Sequence, residues 1–444
     1  MAILDRVGAL NVNGFDASSI DALDPRTREL IDRRRRVLGP AYHLMYEKPL
    51  ELVRGEGVYV YDADGTRYLD MYNNVASVGH CHPRVVEAVS RQMSLINTHT
   101  RYLHDAVIGY AEDLVATFPD ELTTAMFTCT GSEANDLALR IARHATGRQG
   151  VIVTESAYHG GTVDVAACSP SMGPASVRDA PWVRTVPAPD AYRVDGDLGT
   201  WFAEHVQAQI DDLQASGIGF AALLIDSIFA SDGVLPEPTP FLKPAVDAVH
   251  ASGGLLIADE VQPGFGRLGS SMWGFERHGL VPDIVTMGKP MGNGMPIAGL
   301  VMQGSLAEQF GRDLRYFNTF GGNPVTIAAA QAVLDVIRDE ELVANSSVMG
   351  DQLLAGLRGV ASEVGSIGDV RGAGLFVGVE FVGPGGEPNP SEALRVVNAM
   401  RERGVLISAT GCFGNTLKIR PPLVIGGVDV DRFVEELAGV LGIE

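Results

Sequence analysis

Cysteine is scarce in this chain: four residues in 444, Cys81, Cys129, Cys168 and Cys412, widely separated and forming no C-x-x-C pair. That excludes a disulfide-stapled secreted scaffold and points to a reducing compartment. Positive charge is also short, with 34 Lys and Arg against 55 Asp and Glu, a formal net charge of −21. Such a balance repels polyanions, so no nucleic-acid partner is expected. Long apolar runs are missing as well. No stretch reaches the roughly 18 consecutive apolar residues of a membrane helix, and no membrane partner is expected. The opening, MAILDRVGALNVNG, carries Asp5 and Arg6 where a secretory leader needs an unbroken apolar core. The expectation is a cytoplasmic protein.

What remains is an ordinary globular composition, 46% hydrophobic and 20% charged, in a chain long enough for two domains. Residues 1–60 read as an N-terminal arm that also joins a small domain, 61–334 as a large domain, and 335–444 as the C-terminal small domain. Arg33 to Arg36 follow a helix-forming stretch and read as a solvated face. Residues 58–70, VYVYDADGTRYLD, alternate around a D-A-D-G turn and predict a hairpin.

From about 120 to 305 short apolar runs recur: AMFTC (125–129), VIVTE (151–155), AALLID (221–226), LLIAD (255–259) and DIVTMG (283–288). Helix-length segments such as SEANDLALRIARHAT separate several of them. Continuous apolar runs of this length are the mark of strands buried on both faces, so an α/β fold with a mainly parallel sheet and helices on both sides follows. After Asn323-Pro324 a long helical stretch leads to DVRGAGLFVGVEFV, a helix near 391–404 and LKIRPPLVI, which predict a smaller α+β domain.

Chemistry-bearing residues gather at the ends of these runs, where open α/β sheets place ligands. Thr-Gly-Ser-Glu-Ala follows AMFTC at the start of a helix. There the N–H groups of Gly131 and Ser132 could receive a phosphate, though the same residues also make a good N-cap. Asp259, with Glu260 beside it, closes LLIAD, and a carboxylate so placed needs a partner to offset its desolvation. Lys289 closes DIVTMGK, and lysine is rarely buried without a role. A lysine, a carboxylate and a phosphate cup at three strand ends of one sheet form the set that a pyridoxal site requires. Three other patterns read as structural or incidental. Gly264-Phe-Gly-Arg-Leu-Gly269 opens no helix, His80-Cys81-His82 sits before Pro83 in a tight turn, and Asn345-Ser-Ser lacks a secretory context. No metal site is expected.

The blocks TGSEANDLALR, AYHG, DEVQPGFGRLG, PDIVTMGKPMGNGMPIAG and FNTFGGNP resemble, in order, the signature segments of class III aminotransferases, which have the type I fold of pyridoxal-phosphate enzymes. The similarity extends from about residue 36 to the C-terminus. It implies that Lys289 forms the Schiff base with pyridoxal 5′-phosphate and that Asp259 pairs with the pyridinium nitrogen. By the same resemblance Val261 packs behind the ring, Gln262 reaches the ring hydroxyl, Gly131 and Ser132 hold the phosphate, and Tyr158 stacks on the open face. Thr319 is implied to touch the cofactor phosphate of a partner subunit, hence a homodimer with shared sites. Asp226-Ser227 stands where the family usually has Glu-Pro; the shorter Asp226 carboxylate is expected among the cofactor-binding residues, while the family's substrate-switching role for that position is not carried over.

Finer blocks, among them NNVASVGHCHP, NTHTRYLHD and TLKIRPPL, resemble the family's phospho-lyases, which act on ethanolamine phosphate or phosphohydroxylysine, and less closely its alanine–glyoxylate aminotransferases. An eliminating lyase needs cations for a leaving phosphate and no second substrate. Lys418 and Arg420 supply that charge, a planar guanidinium suiting a phosphate, and the resemblance puts Asn73 near the pocket mouth. The implied reaction is elimination of phosphate from a small phosphorylated amine. The alternative is amino transfer to pyruvate or another oxo-acid.

Overall fold

The computed structural model describes residues 13–173 and 180–443, so most of the segment read for a leader lies outside the described residues. Three sheets organise the chain. The first joins β1 (Leu52–Glu56), β2 (Tyr59–Asp62) and β3 (Arg67–Asp70), and its fourth strand comes from far along the chain. The second, central sheet is built from β4 (Leu122–Thr128), β5 (Gly150–Thr154), β6 (Val183–Val186), β7 (Phe220–Asp226), β8 (Leu255–Asp259), β9 (Ile284–Met287) and β10 (Ala298–Gln303). The third comprises β11 (Ile367–Ala373), β12 (Phe376–Phe381), β14 (Ser408–Thr410) and β15 (Thr416–Ile419), whereas β13 (Val405–Leu406) pairs in parallel with β3.

The predicted hairpin forms, Tyr59 opposite Leu69 and Tyr61 opposite Arg67. In the central sheet the order is β4-β10-β9-β8-β7-β5-β6. β5 through β9 pair in parallel, while β10 runs against both of its neighbours. The apolar runs are strands because both of their faces are covered. Val151, Val153, Ala222, Leu224 and Ile257 pack beneath Leu137, Ala138 and Ile141 of the helix Gly131–Thr146. Ile152, Leu223, Ile225 and Leu256 face the other way, against Phe202, Ile210 and Ala245 from the helices Leu198–Ala215 and Lys243–Ala251. The period-2 alternation thus divides each run between two helical layers.

Helix Gly131–Thr146 is bounded by local chemistry. Thr130 caps its start in a reciprocal capping box with Glu133, and Gly147 ends it in the left-handed conformation at φ 67°. Four motifs set aside in the sequence have structural surroundings. Residues 264–269 form turns and no helix, His80 Nε2 lies 2.7 Å from Asp70 Oδ2, and Asn345 donates to the carbonyls of Leu423 and Ile425. Arg33, Arg35 and Arg36 are exposed on their helix. No helix among the described residues is long and apolar enough to cross a membrane.

Candidate active site

The parallel strands deliver their C-terminal ends to one side of the sheet, and there a cavity of about 310 Å³ opens. Gly131, Ser132, Tyr158, Asp259, Val261, Gln262 and Lys289 all line it. Seven of the residues singled out in the sequence therefore meet in one place, though they span 159 positions. Lys289 sits two residues beyond the end of β9, half-buried, with Nζ 6.0 Å from the centre of the Tyr158 ring. Burial and the neighbouring Arg420 charge hold its ammonium below the usual lysine range, with Asp259 and Asp226 acting in the opposite direction.

Asp259 is 4% exposed. Its Oδ2 accepts from Asn135 Nδ2 at 2.9 Å and lies 2.7 Å from His159 Nδ1, while Oδ1 accepts the Val261 N–H at 3.0 Å. Glu260, the next residue, points away from the cavity. It is fully buried and accepts from Ser227 Oγ and from the N–H groups of Gly274 and Phe275, and burial pushes its carboxyl up to about 8. One of two adjacent acids is therefore a cavity group and the other a loop anchor.

At the start of helix Gly131–Thr146 the capping box uses the Glu133 N–H, and Gly131 and Ser132 keep N–H groups with no protein acceptor among the described residues. Two glycines keep this corner open. A Cβ on Gly131 would fall 3.0 Å from Val261 Cγ2, and one on Gly160, at φ 143°, would fall 2.5 Å from Ser132 Oγ.

The other residues stand outside the cavity lining. Asp226 lies beside Asp259 in the β7–β8 register, yet its carboxylate turns back to accept the N–H groups of Ile228 at 2.9 Å and Ala230 at 3.2 Å. Burial, and then the Asp259 charge, push it up to about 6. Lys418 and Arg420 are buried behind the cavity, at 8% and 5% exposure. Arg420 Nη1 donates to Gln262 Oε1 at 2.5 Å, its guanidinium lies 4.9 Å from the Tyr72 ring centre, and its Nε is buried without a partner. Burial lowers both cations, Lys418 further through the Arg420 charge. Asn73 is half-buried and accepts the N–H of Val75, a cavity residue. Thr319 is exposed and is not among the residues lining this chain's own cavity.

Sequence reasoning left out His159 and Asn135, which grip Asp259 from 100 and 124 positions away. Both lie inside the quoted blocks AYHG and TGSEAND, so their position was visible but their partner was not. It also left out Gly294 to Ile297, which line the same cavity.

A lysine and a carboxylate in a cavity floored by an open helix N-terminus are the equipment of a pyridoxal-phosphate enzyme of fold type I. The family model for class III aminotransferases matches residues 43–441, and the chain belongs to that pyridoxal-phosphate-dependent family. A Drosophila melanogaster protein called alanine–glyoxylate aminotransferase 2-like is 42% identical over 421 residues, covering 91% of this chain and 85% of that protein. A Caenorhabditis elegans protein called ethanolamine-phosphate phospho-lyase homolog 1 is 36% identical, covering 97% of this chain and 98% of that one. Among solved structures, a phospholyase from Arthrobacter in complex with phosphoethanolamine superposes with a TM-score of 0.89 at 42% identity, over 93% of this chain and 99% of that one.

Proposed function

We propose that this enzyme is a phospho-lyase that eliminates phosphate from a small phosphorylated amine such as ethanolamine phosphate, releasing acetaldehyde and ammonia. The observation that carries the reading is the wall formed by Lys418 and Arg420. Two buried cations stand there without an ion pair among the described residues, because Asp226 bonds its own loop. Asp226 and Asp232 act on Lys418 only through space, each being hydrogen-bonded elsewhere, so the two cations keep a desolvation cost that a phosphate dianion offsets better than a carboxylate.

The cavity fits pyridoxal phosphate. The unpartnered N–H groups of Gly131 and Ser132, with the space kept by Gly160, would hold its phosphate. Lys289 would hold it covalently, Asp259 would face its ring nitrogen, and Val261, Gln262 and Tyr158 would bound the ring. Thr319, exposed on this chain, would reach the site of a partner subunit in a homodimer. When bound, the cofactor supplies the electron sink that makes a C–H bond next to nitrogen acidic.

The chain's own residues do the rest. The Lys289 amine, kept below the usual lysine range by burial, is suited to take that proton. His159 and Asn135 fix Asp259 so that its charge stays aimed into the cavity. Lys418 and Arg420 bind the phosphate and stabilise its charge as the C–O bond breaks, with Asn73 near the mouth. Overall, ethanolamine phosphate and water give acetaldehyde, ammonia and phosphate.

The test is incubation with ethanolamine phosphate and no oxo-acid. Stoichiometric phosphate and acetaldehyde support the lyase. No release, but rapid alanine formation once pyruvate is added, would favour the aminotransferase reading suggested by the Drosophila relative's name.

A further inference from the structure

Beside this wall lies a third cation, Arg267, that the reaction above does not use. It is 1% exposed. Its Nη1 donates to the carbonyls of Leu375, at 3.2 Å, and Pro421, and its buried Nη2 has no partner. No carboxylate pairs with it among the described residues. Burial and then the Arg420 charge push the guanidinium down to about 9, against the pull of Asp70, so it remains charged at neutral pH.

Its contacts tie three segments together. Arg267 belongs to the loop that follows Asp259 and Gln262, Leu375 lies in the turn between β11 and β12, and Pro421 directly follows Arg420. The Arg267 carbonyl accepts from Ser346 Oγ at 2.7 Å and from the Leu375 N–H at 3.0 Å. Gly374, at φ 50°, makes room for this junction, since a Cβ there would fall 2.7 Å from the Arg267 oxygen. A neutral donor could bond the same carbonyls at a smaller desolvation cost, so the charge itself needs a reason. The nearby acids are already engaged. Asp70 accepts from the N–H groups of Tyr72 and Asn73 and contacts His80, and Asp226 caps its own loop.

We propose that Arg267 is a specificity-determining positioning residue: by gripping Pro421 it sets the Arg420 guanidinium, and its buried charge biases the pocket toward a dianionic phosphate over a neutral group. The inference rests on the phosphorylated-amine reading. It makes discrimination between substrates a property of a residue that touches none of them.

The experiment compares holoenzymes of wild type, Arg267→Gln and Arg267→Lys. For each, inhibition by inorganic phosphate is measured alongside spectral titration with unphosphorylated ethanolamine. The Gln variant should keep its cofactor absorbance, lose about tenfold or more in phosphate affinity and change by less than about twofold toward ethanolamine. The Lys variant, retaining charge without the planar fork, should fall between. Unchanged phosphate inhibition, or equal losses for both ligands, overturns the proposal. So does failure of both variants to fold with cofactor, because the guanidinium would then serve the fold. Wild type that neither binds phosphate nor releases it from ethanolamine phosphate would sink the lyase reading instead. A wild type that prefers phosphate, with a Gln variant that prefers it equally, would sink the Arg267 inference alone.

Discussion

Replacing Asp259 by asparagine removes a charge and an acceptor at nearly constant size. In the native site Asp259 accepts on both oxygens, from Val261 N–H on one side and from Asn135 on the other. An asparagine can offer its oxygen to only one of them. If the oxygen meets Val261, its NH₂ faces the Asn135 NH₂, whose own oxygen already accepts from Thr286 Oγ1 at 2.6 Å. If the amide flips, the conflict moves to Val261. Either way one donor faces another in a site 4% exposed, at a cost of about 1–3 kcal/mol in apoprotein stability by denaturant titration. Catalysis should fall further. Removing one preorganised electrostatic group typically costs about 10²–10³ in kcat, so Asp259→Asn should lose at least that when phosphate release is assayed with cofactor bound. His159→Gln should lose less, because Asn135 still orients the carboxylate. Near-normal kcat in cofactor-loaded Asp259→Asn would refute the assignment and require another group at the ring nitrogen.

Three further outcomes are expected. Gly160→Ala forces a Cβ to within 2.5 Å of Ser132 Oγ at a φ of 143°, and fluorescence titration should show cofactor affinity reduced about tenfold or more with the fold retained. Arg420→Ala removes a positive charge that helps hold the Lys289 ammonium below its usual range. The midpoint for cofactor attachment, which needs the neutral amine, should therefore move to higher pH, and an unmoved midpoint would contradict the coupling. Sedimentation at assay concentration should show a homodimer, Thr319→Val should weaken cofactor binding, and a fully active monomer would end the shared-site proposal.

Much of the site was legible because charge at the end of an apolar run is a conspicuous local signal. Asp259 and Lys289 stand out that way, and the capping signature TGSE marks the helix start. Partners were not legible. His159 and Asp259 are 100 residues apart, and Arg420 and Gln262 158 apart. Which distant side chains meet is set by strand order in the sheet, and no local pattern encodes it. The same limit hid the direction of β10, since AGLVMQ reads as buried whichever way it runs. It also hid the fate of Asp226. The sequence shows a shorter acid in place of Glu, whereas only the folded loop shows Ile228 and Ala230 claiming its oxygens.

The route of the chain after β9 has a bearing on attempts to redesign this enzyme. β4 gives way to a helix, but β9 turns back through residues 288–297 into β10, with Met287 and Gly299 facing each other across the ladder. Gly288, Lys289 and Gly294 to Ile297 all line the cavity. Lys289 and the lining residues Gly294 to Ile297 are thus parts of one strap, fastened at both ends to a buried sheet. Enlarging the pocket at Met295 or Ile297 therefore alters the same short segment that carries Lys289. The wall around Lys418 and Arg420 hangs from a different sheet. Substitutions on that side alter a wall whose backbone is separate from the segment that carries Lys289.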